Sequence, residues 1–196
     1  MTYESRMENE ESETSRRTRL HTLFNKLDVN KNGLLDRRSL SAGLKKINHP
    51  LQNADDLLDQ VLAKADTNRD GLISWEEFLR FIEATEQELW NLFCRIDRDS
   101  NGKLDLSEIA AAFERSNIYV DPKALHDFFS HMDRNNDQVI DFDEWRDFLL
   151  FLPLGSSPSL SSIYSYFVVA IKVTSEGDGR FYICSTHNSD LPRRVF

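Results

Sequence analysis

Apolar residues recur along this chain in short bursts at helical spacing, each burst followed by a dozen mostly polar positions. Leu20, Leu23, Phe24 and Leu27 share one helix face, as do Leu57, Leu58, Val61 and Leu62. The pattern returns at Leu89, Leu92, Phe93 and Ile96, and again at Leu125, Phe128, Phe129 and Met132. A second stripe follows the polar interval, for example Phe78, Leu79 and Ile82, or Trp145, Phe148, Leu149 and Leu152. The repeating unit is therefore helix, loop, helix, and the predicted fold class is all-α.

The polar intervals are copies of one another. "DVNKNGLLDRRS" begins at 28, "DTNRDGLISWEE" at 66, "DRDSNGKLDLSE" at 97 and "DRNNDQVIDFDE" at 133, with steps of 38, 31 and 36 residues. Each crowds side-chain oxygens onto alternate positions, which destabilises a fold unless a cation sits among them. Surface turns also favour Asp, Asn and Gly, but four copies between amphipathic helices, three of them closed by Glu, weigh against ordinary turns.

The spacing resembles the EF-hand calcium loop, in which positions 1, 3, 5, 9 and 12 offer side-chain oxygens and position 7 a backbone carbonyl. The resemblance implies four EF-hands in two paired lobes, with short β-bridges between paired loops and calcium as the cofactor. In loop two the matching ligands are Asp66, Asn68, Asp70, Leu72, Ser74 and Glu77, with Gly71 at the bend. In loop three they are Asp97, Asp99, Asn101, Lys103, Asp105 and Glu108, with Gly102 at the bend. Loop four keeps Asp133, Asn135, Asp137, Val139, Asp141 and Glu144 but has Gln138 where the turn favours Gly; a left-handed non-glycine costs on the order of 1 kcal/mol. Loop one keeps Asp28, Asn30, Asn32, Leu34 and Asp36, with Ser39 in place of the closing Glu. It is the weak site, either a poor ligand cage or a structural pseudo-site, so three ions are expected and a fourth is weak or absent. Leu35 with Ile73, and Leu104 with Ile140, are expected to form the bridges.

Caps set the expected boundaries. Thr85 through Glu88 reads as a capping box that starts a new helix, which divides a first pair at 16–84 from a second at 85–152 with a short bend between. Asp121 and Pro122 start the helix into loop four. Residues 1–15 are expected to be disordered, 153–159 to form a linker, and 174–196 to be a loose tail. Between these, Leu160, Ile163, Tyr164, Phe167, Val168 and Ile171 fall on one face of an amphipathic helix at 160–173, a ligand of the type that an opened EF-hand lobe accepts. A strand or an ordinary core helix is the competing reading of this stretch.

"HMDRNNDQVIDFDEWRDFLLFLP" at 131–153, followed by "SLSSIYSYFVVAIKVTSEGD" at 159–178, is similar to the regulatory region of calcium-dependent mitochondrial solute carriers, the ATP-magnesium/phosphate group. That resemblance implies a regulatory domain facing the intermembrane space at the mitochondrial inner membrane, whose opening by calcium controls helix docking and so gates adenine nucleotide and phosphate transport. The carrier domain itself, its Pro-x-[Asp/Glu]-x-x-[Lys/Arg] signature and any transmembrane stretch do not appear before Phe196. The expectation is an isolated regulatory domain, a truncated product, or a chain that leaves frame after about Gly179. The alternatives are a stand-alone calcium buffer and a calmodulin-like adaptor for a separate protein, both cytoplasmic.

Charge and the remaining chemistry narrow this little further. With 33 acidic and 24 basic residues, the net charge of -9 disfavours a nucleic-acid partner. Residues 1–19 lack the apolar core of a secretory signal. Cys94 and Cys184 match no metal or redox spacing, which points to a reducing compartment, and Cys94 reads as a core residue beside Phe93. His126 and His131 are split across a helix, and no His-Glu-x-x-His motif or Gly-rich phosphate loop exists. Enzymatic function is not expected.

Overall fold

The computed structural model describes residues 13–47, 49, 55–152, 160–165 and 182–183. Four helix–loop–helix units follow in order. They use α1 (Glu13–Leu27), α2 (Arg37–Lys46), α3 (Asp55–Ala65) and α4 (Trp75–Ile96), then β1 (Lys103–Leu104) and α5 (Leu106–Arg115). β2 (Ile118–Tyr119), α6 (Pro122–Met132), β3 (Ile140–Asp141) and α7 (Phe142–Leu149) complete them, residues 160–165 are helical, and β4 is Tyr182–Ile183.

The expected bridges are present. Leu35 and Ile73 exchange both backbone hydrogen bonds at 2.9 Å, and β1 pairs with β3 with Leu104 opposite Ile140. These contacts tie loop one to loop two and loop three to loop four, and all four bridging side chains are buried.

The expected break at Thr85 does not occur. α4 is a single helix from Trp75 to Ile96, closing unit two and opening unit three. Thr85 is buried in mid-helix and its Oγ1 donates to the Phe81 carbonyl at 2.8 Å. The apolar stripe Phe78, Phe81, Ile82, Leu89, Trp90 and Phe93 runs through that point without Gly or Pro, so burial overrides the local cap signal. A continuous helix, rather than a bend, joins the two pairs. The same stripe turns Cys94 outward, so it is exposed and not a core residue.

The apolar faces form one continuous core. In the first pair, Phe24 meets Trp75 and Phe78 edge-on at 5.4 and 5.2 Å. In the second, Trp145 is fully buried and its Nε1 donates to the Leu89 carbonyl at 3.2 Å, which binds α7 to α4. Between the pairs, His49 is buried edge-on to Phe151 at 5.2 Å; desolvation, aided by the Arg134 charge, lowers its pKa to about 3 and keeps it neutral.

Gly43 allows α2 to lie directly on α1, because a Cβ there would stand 2.5 Å from Leu27 Cα and 3.0 Å from the Leu27 carbonyl oxygen. Gly43→Ala is expected to lower the melting temperature. Overpacking against backbone costs about 1–3 kcal/mol, more than the ~1 kcal/mol that alanine contributes through helix propensity. A melt at or above wild type would show that the helices separate freely.

Within the expected loose tail, the described residues Tyr182–Ile183 pair antiparallel with Ile118–Tyr119. Of the docking-helix residues, Leu160, Ile163 and Tyr164 are described and buried, whereas Phe167, Val168 and Ile171 lie outside the described residues. Of the stretch 1–15 expected to be disordered, residues 13–15 instead form the first turn of α1, which Arg16 ties to Glu83 and Glu86. Residues 1–12, the 153–159 linker and Cys184 lie outside the described residues.

Candidate metal centres

The loops share one hydrogen-bond scheme, and it starts from the first Asp. Asp28, Asp66, Asp97 and Asp133 each accept from the backbone N–H of the sixth loop residue, Gly33, Gly71, Gly102 and Gln138, at 2.8, 2.8, 3.0 and 3.0 Å. Their other oxygen accepts from the fifth residue at 3.2 to 3.3 Å. The fifth side chain in turn accepts from the seventh N–H, as in Asn101 from Lys103 at 2.7 Å and Asp137 from Val139 at 3.1 Å. Such donors fix each side-chain oxygen and leave lone pairs to face the loop interior.

This curl requires left-handed backbone twice per loop. The sixth residues have φ of 78° at Gly33, 82° at Gly71, 80° at Gly102 and 68° at Gln138, so Gln138 adopts the glycine conformation. The fourth residues, Lys31, Arg69, Ser100 and Asn136, also have positive φ, between 56° and 62°. At Gln138 and at the fourth residues, where no glycine relieves the strain, the Asp-centred hydrogen bonds of the loop offset it.

The closing glutamates span their loops. In loops two, three and four, Glu77, Glu108 and Glu144 accept at one oxygen from the second loop residue, Thr67, Arg98 and Arg134, at 3.0, 2.9 and 3.0 Å. The other oxygen accepts from the ninth residue, Ser74, Asp105 and Asp141, at 3.0, 3.2 and 3.2 Å. Those ninth residues are the N-caps of α4, α5 and α7, each in a capping box with its glutamate. Hydrogen bonds from the Ser74 backbone and side chain, then from Thr67 and Asn68, bring the Glu77 pKa down to about 2. Asp105 is likewise held below the usual carboxylate range, first by the Ser107 hydroxyl and then by the Glu108 backbone.

Carboxylates converge in two loops. Oxygens of Asp97, Asp99 and Glu108 lie within 4.8 Å of one another, and so do those of Asp133, Asp137 and Glu144. Asp105 and Asp141 are not in these groups because their carboxylates turn to cap the following helix. In loop two the described acids Asp66, Asp70 and Glu77 do not form such a group; Glu77 is occupied by Thr67, Asn68 and Ser74, and Asn68 donates to Asp70 at 3.0 Å. The carboxylate triads and the Asn and Ser groups beside them present oxygen and no sulfur or imidazole, a donor set suited to a hard divalent cation.

Loop one closes differently. Asn30 Nδ2 donates to Ser39 Oγ at 2.9 Å, and Ser39 is buried. A neutral amide-hydroxyl contact thus occupies the place of the closing carboxylate. Asp36 still caps α2 by accepting from Ser39 N, which also holds its carboxyl below the usual range.

The helical residues 160–165 sit on the second pair. The Tyr164 ring meets Phe113 and Phe128 edge-on at 5.2 and 5.7 Å, joining the Phe113–Phe128 contact between α5 and α6. Burial there, with the Asp121 and Asp127 charges nearby, raises the Tyr164 pKa.

Sequence reasoning missed one cluster altogether. Glu86 on α4 is 1% exposed and accepts from Arg16 at 2.9 and 3.3 Å and from Arg19 at 3.0 Å, while Arg146 on α7 approaches to 3.9 Å. Nothing in the spacing of Arg16, Arg19, Glu86 and Arg146 announces this contact, since each residue reads locally as a solvated charge.

A family model for the EF-hand domain pair matches residues 17–83 and 86–150. The calcium-dependent mitochondrial ATP-magnesium/phosphate carrier protein 3 of Arabidopsis thaliana is 35% identical over 158 residues, covering 80% of this chain and 32% of that protein. The mitochondrial adenyl nucleotide antiporter SLC25A24 of Oryctolagus cuniculus is 31% identical over 138 residues, covering 70% of this chain and 29% of that protein. The calcium-binding mitochondrial carrier SAL1 of Saccharomyces cerevisiae is 27% identical over 215 residues, covering 88% of this chain and 39% of that protein. The chain thus spans roughly a third of the length of these relatives.

Proposed function

Because the chain belongs to the EF-hand domain-pair family, with both halves matched, we propose that it is a calcium-binding regulatory domain of the kind that its carrier relatives possess. The observation that carries this reading is the convergence of three carboxylates within 4.8 Å in each of loops three and four. Like charges at that distance repel unless a cation lies among them. A bound ion would supply positive charge and cross-link each loop through its oxygens.

The residues assigned to hold it are Asp66, Asn68, Asp70, Leu72, Ser74 and Glu77 in loop two, and Asp97, Asp99, Asn101, Lys103, Asp105 and Glu108 in loop three. Loop four contributes Asp133, Asn135, Asp137, Val139, Asp141 and Glu144. The seventh residue of each loop acts through its backbone carbonyl. Glu77, Glu108 and Glu144 stand in the first turn of α4, α5 and α7, so a shift of their backbone toward a bound ion is a shift of the helix that carries them. We assign no ion to loop one, whose Asn30–Ser39 hydrogen bond satisfies the polar groups that a cation would otherwise need.

The buried Leu160, Ile163 and Tyr164 support docking of an amphipathic helix on the second pair, and Phe167, Val168 and Ile171 extend that face at the same spacing. Release or capture of this helix is the output that we assign to the domain. By relation to the carriers, that output gates adenine nucleotide and phosphate exchange from the intermembrane-space side of the mitochondrial inner membrane. The domain acts by binding, not by catalysis. Among the described residues no helix is long and apolar enough to cross a membrane.

Calorimetric titration of the chelator-stripped chain with calcium tests the assignment. Three sites are expected, rising to four in Ser39→Glu, where a carboxylate replaces the hydroxyl held by Asn30. Four sites in the wild type would restore loop one to the ligand set, and no heat at millimolar calcium would end the calcium reading.

A further inference from the structure

We propose that Glu86 is an ionic latch that couples the loop-four site to α1 in the opposite pair, so that ion occupancy of the second pair is felt in the first. This rests on the calcium reading given above. Three helices from different units converge on one carboxylate. Arg16 and Arg19 come from α1, Glu86 from the middle of α4, and Arg146 from α7. Arg16 and Arg146 are themselves nearly buried, at 9% and 7% exposure, so their charges are withdrawn from water and depend on Glu86 and its neighbours for compensation.

Position in the sequence makes this arrangement a transmission rather than a mere clamp. Arg146 lies two residues after Glu144, the closing carboxylate of loop four, on the same short helix. A rotation of α7 that repositions Glu144 must also reposition Arg146. Arg146 is fastened to its own helix by Asp143 at 2.7 Å and Asp147 at 2.9 Å, so the guanidinium moves with α7. On the far side, Arg16 holds both Glu86 and Glu83, fixing α1 to α4. Withdrawal of Arg146 removes one of the positive charges facing Glu86, which Arg16 and Arg19 still hold, and so changes the pull on α1. Phe24, farther along α1, packs against Trp75 at 5.4 Å, and His21 meets the same ring at 4.9 Å. Trp75 therefore reports the position of α1, whereas Trp90 and Trp145 report the second pair.

The test uses the full chain labelled with 5-fluorotryptophan, its three fluorine resonances assigned by single Trp→Phe changes, in a Glu77→Gln background that disables loop two. With calcium added, the Trp145 line is expected to shift and the Trp75 line to follow it. Adding Glu86→Gln, which keeps shape and removes charge, is expected to abolish the Trp75 shift while the Trp145 shift persists. Should Glu86→Gln fail to fold by its circular-dichroism melt, Arg146→Met carries the same expectation. It removes only the α7 arm, and it leaves Asp143 and Asp147, 67% and 42% exposed, to water. A Trp75 shift that survives both changes would place the coupling in the continuous α4 rod and overturn the latch, as would a Trp75 line that never moves. Trp90 and Trp145 lines unmoved by calcium in the wild-type chain would instead remove the calcium reading itself.

Discussion

Replacing Glu108 and Glu144 together by Gln is expected to weaken calcium binding in the second pair by on the order of 100-fold per site, because ligand charge count sets affinity across this class of loop. Each change removes a charge and one of two oxygens, and turns an amide N–H₂ toward the cation. The caps should survive in weakened form, since the Gln carbonyl can still accept from Asp105 N or Asp141 N, where the glutamates now accept at 3.2 Å. The fold is thus retained while the ion is lost. Calorimetry is expected to show only the loop-two heat, and affinities unchanged from wild type would mean that these carboxylates are capping groups alone.

Ile163→Asp is expected to free the docked helix. Ile163 is fully buried between Leu160 and Tyr164, whose side chains are 4% and 5% exposed. Burying three such side chains contributes about 1.5–3 kcal/mol each. An unpaired carboxylate in that apolar seat costs more than any one of them returns, and the charge reaches water by undocking. The four-unit domain should remain folded, because the Trp145–Leu89 hydrogen bond and the paired loops hold it by contacts that do not involve Ile163. A dye that reports exposed apolar surface should brighten in the variant with or without calcium, as Phe113 and Phe128 lose the cover of Tyr164. In the unchanged chain, a dye response to calcium distinguishes a sensor from a buffer. An Ile163→Asp variant indistinguishable from wild type would show that the seat is not occupied in solution.

The loops and bridges were legible because their determinants are local. An Asp at the first position, a turn residue at the sixth and an apolar residue at the eighth impose the curl and the Leu35–Ile73 and Leu104–Ile140 contacts wherever they occur. Gln138 fits the same rule, taking φ of 68° because the Asp133 carboxylate holds its N–H. Loop one was legible only as deficient. That Asn30 turns its amide to Ser39 is a choice among side-chain partners which the sequence leaves open.

The errors share a cause. Thr85 to Glu88 satisfies the letter of a capping box, yet a cap needs a non-helical residue, and the buried stripe from Phe78 to Phe93 holds that segment helical. Its neighbour Phe93 suggests a core position for Cys94, but its angle around the helix turns it outward.

By itself the sequence determined the curled loops, the helices around them and the apolar face of residues 160–164, because short-range spacing suffices for each. Only the tertiary structure decided that α4 is one rod, that Tyr164 seats between Phe113 and Phe128, and that Glu86 gathers arginines from two distant helices. The physical reason is range: a charge on a helix surface looks solvated until another helix arrives to bury it, and Arg16 and Glu86 stand 70 residues apart along the chain.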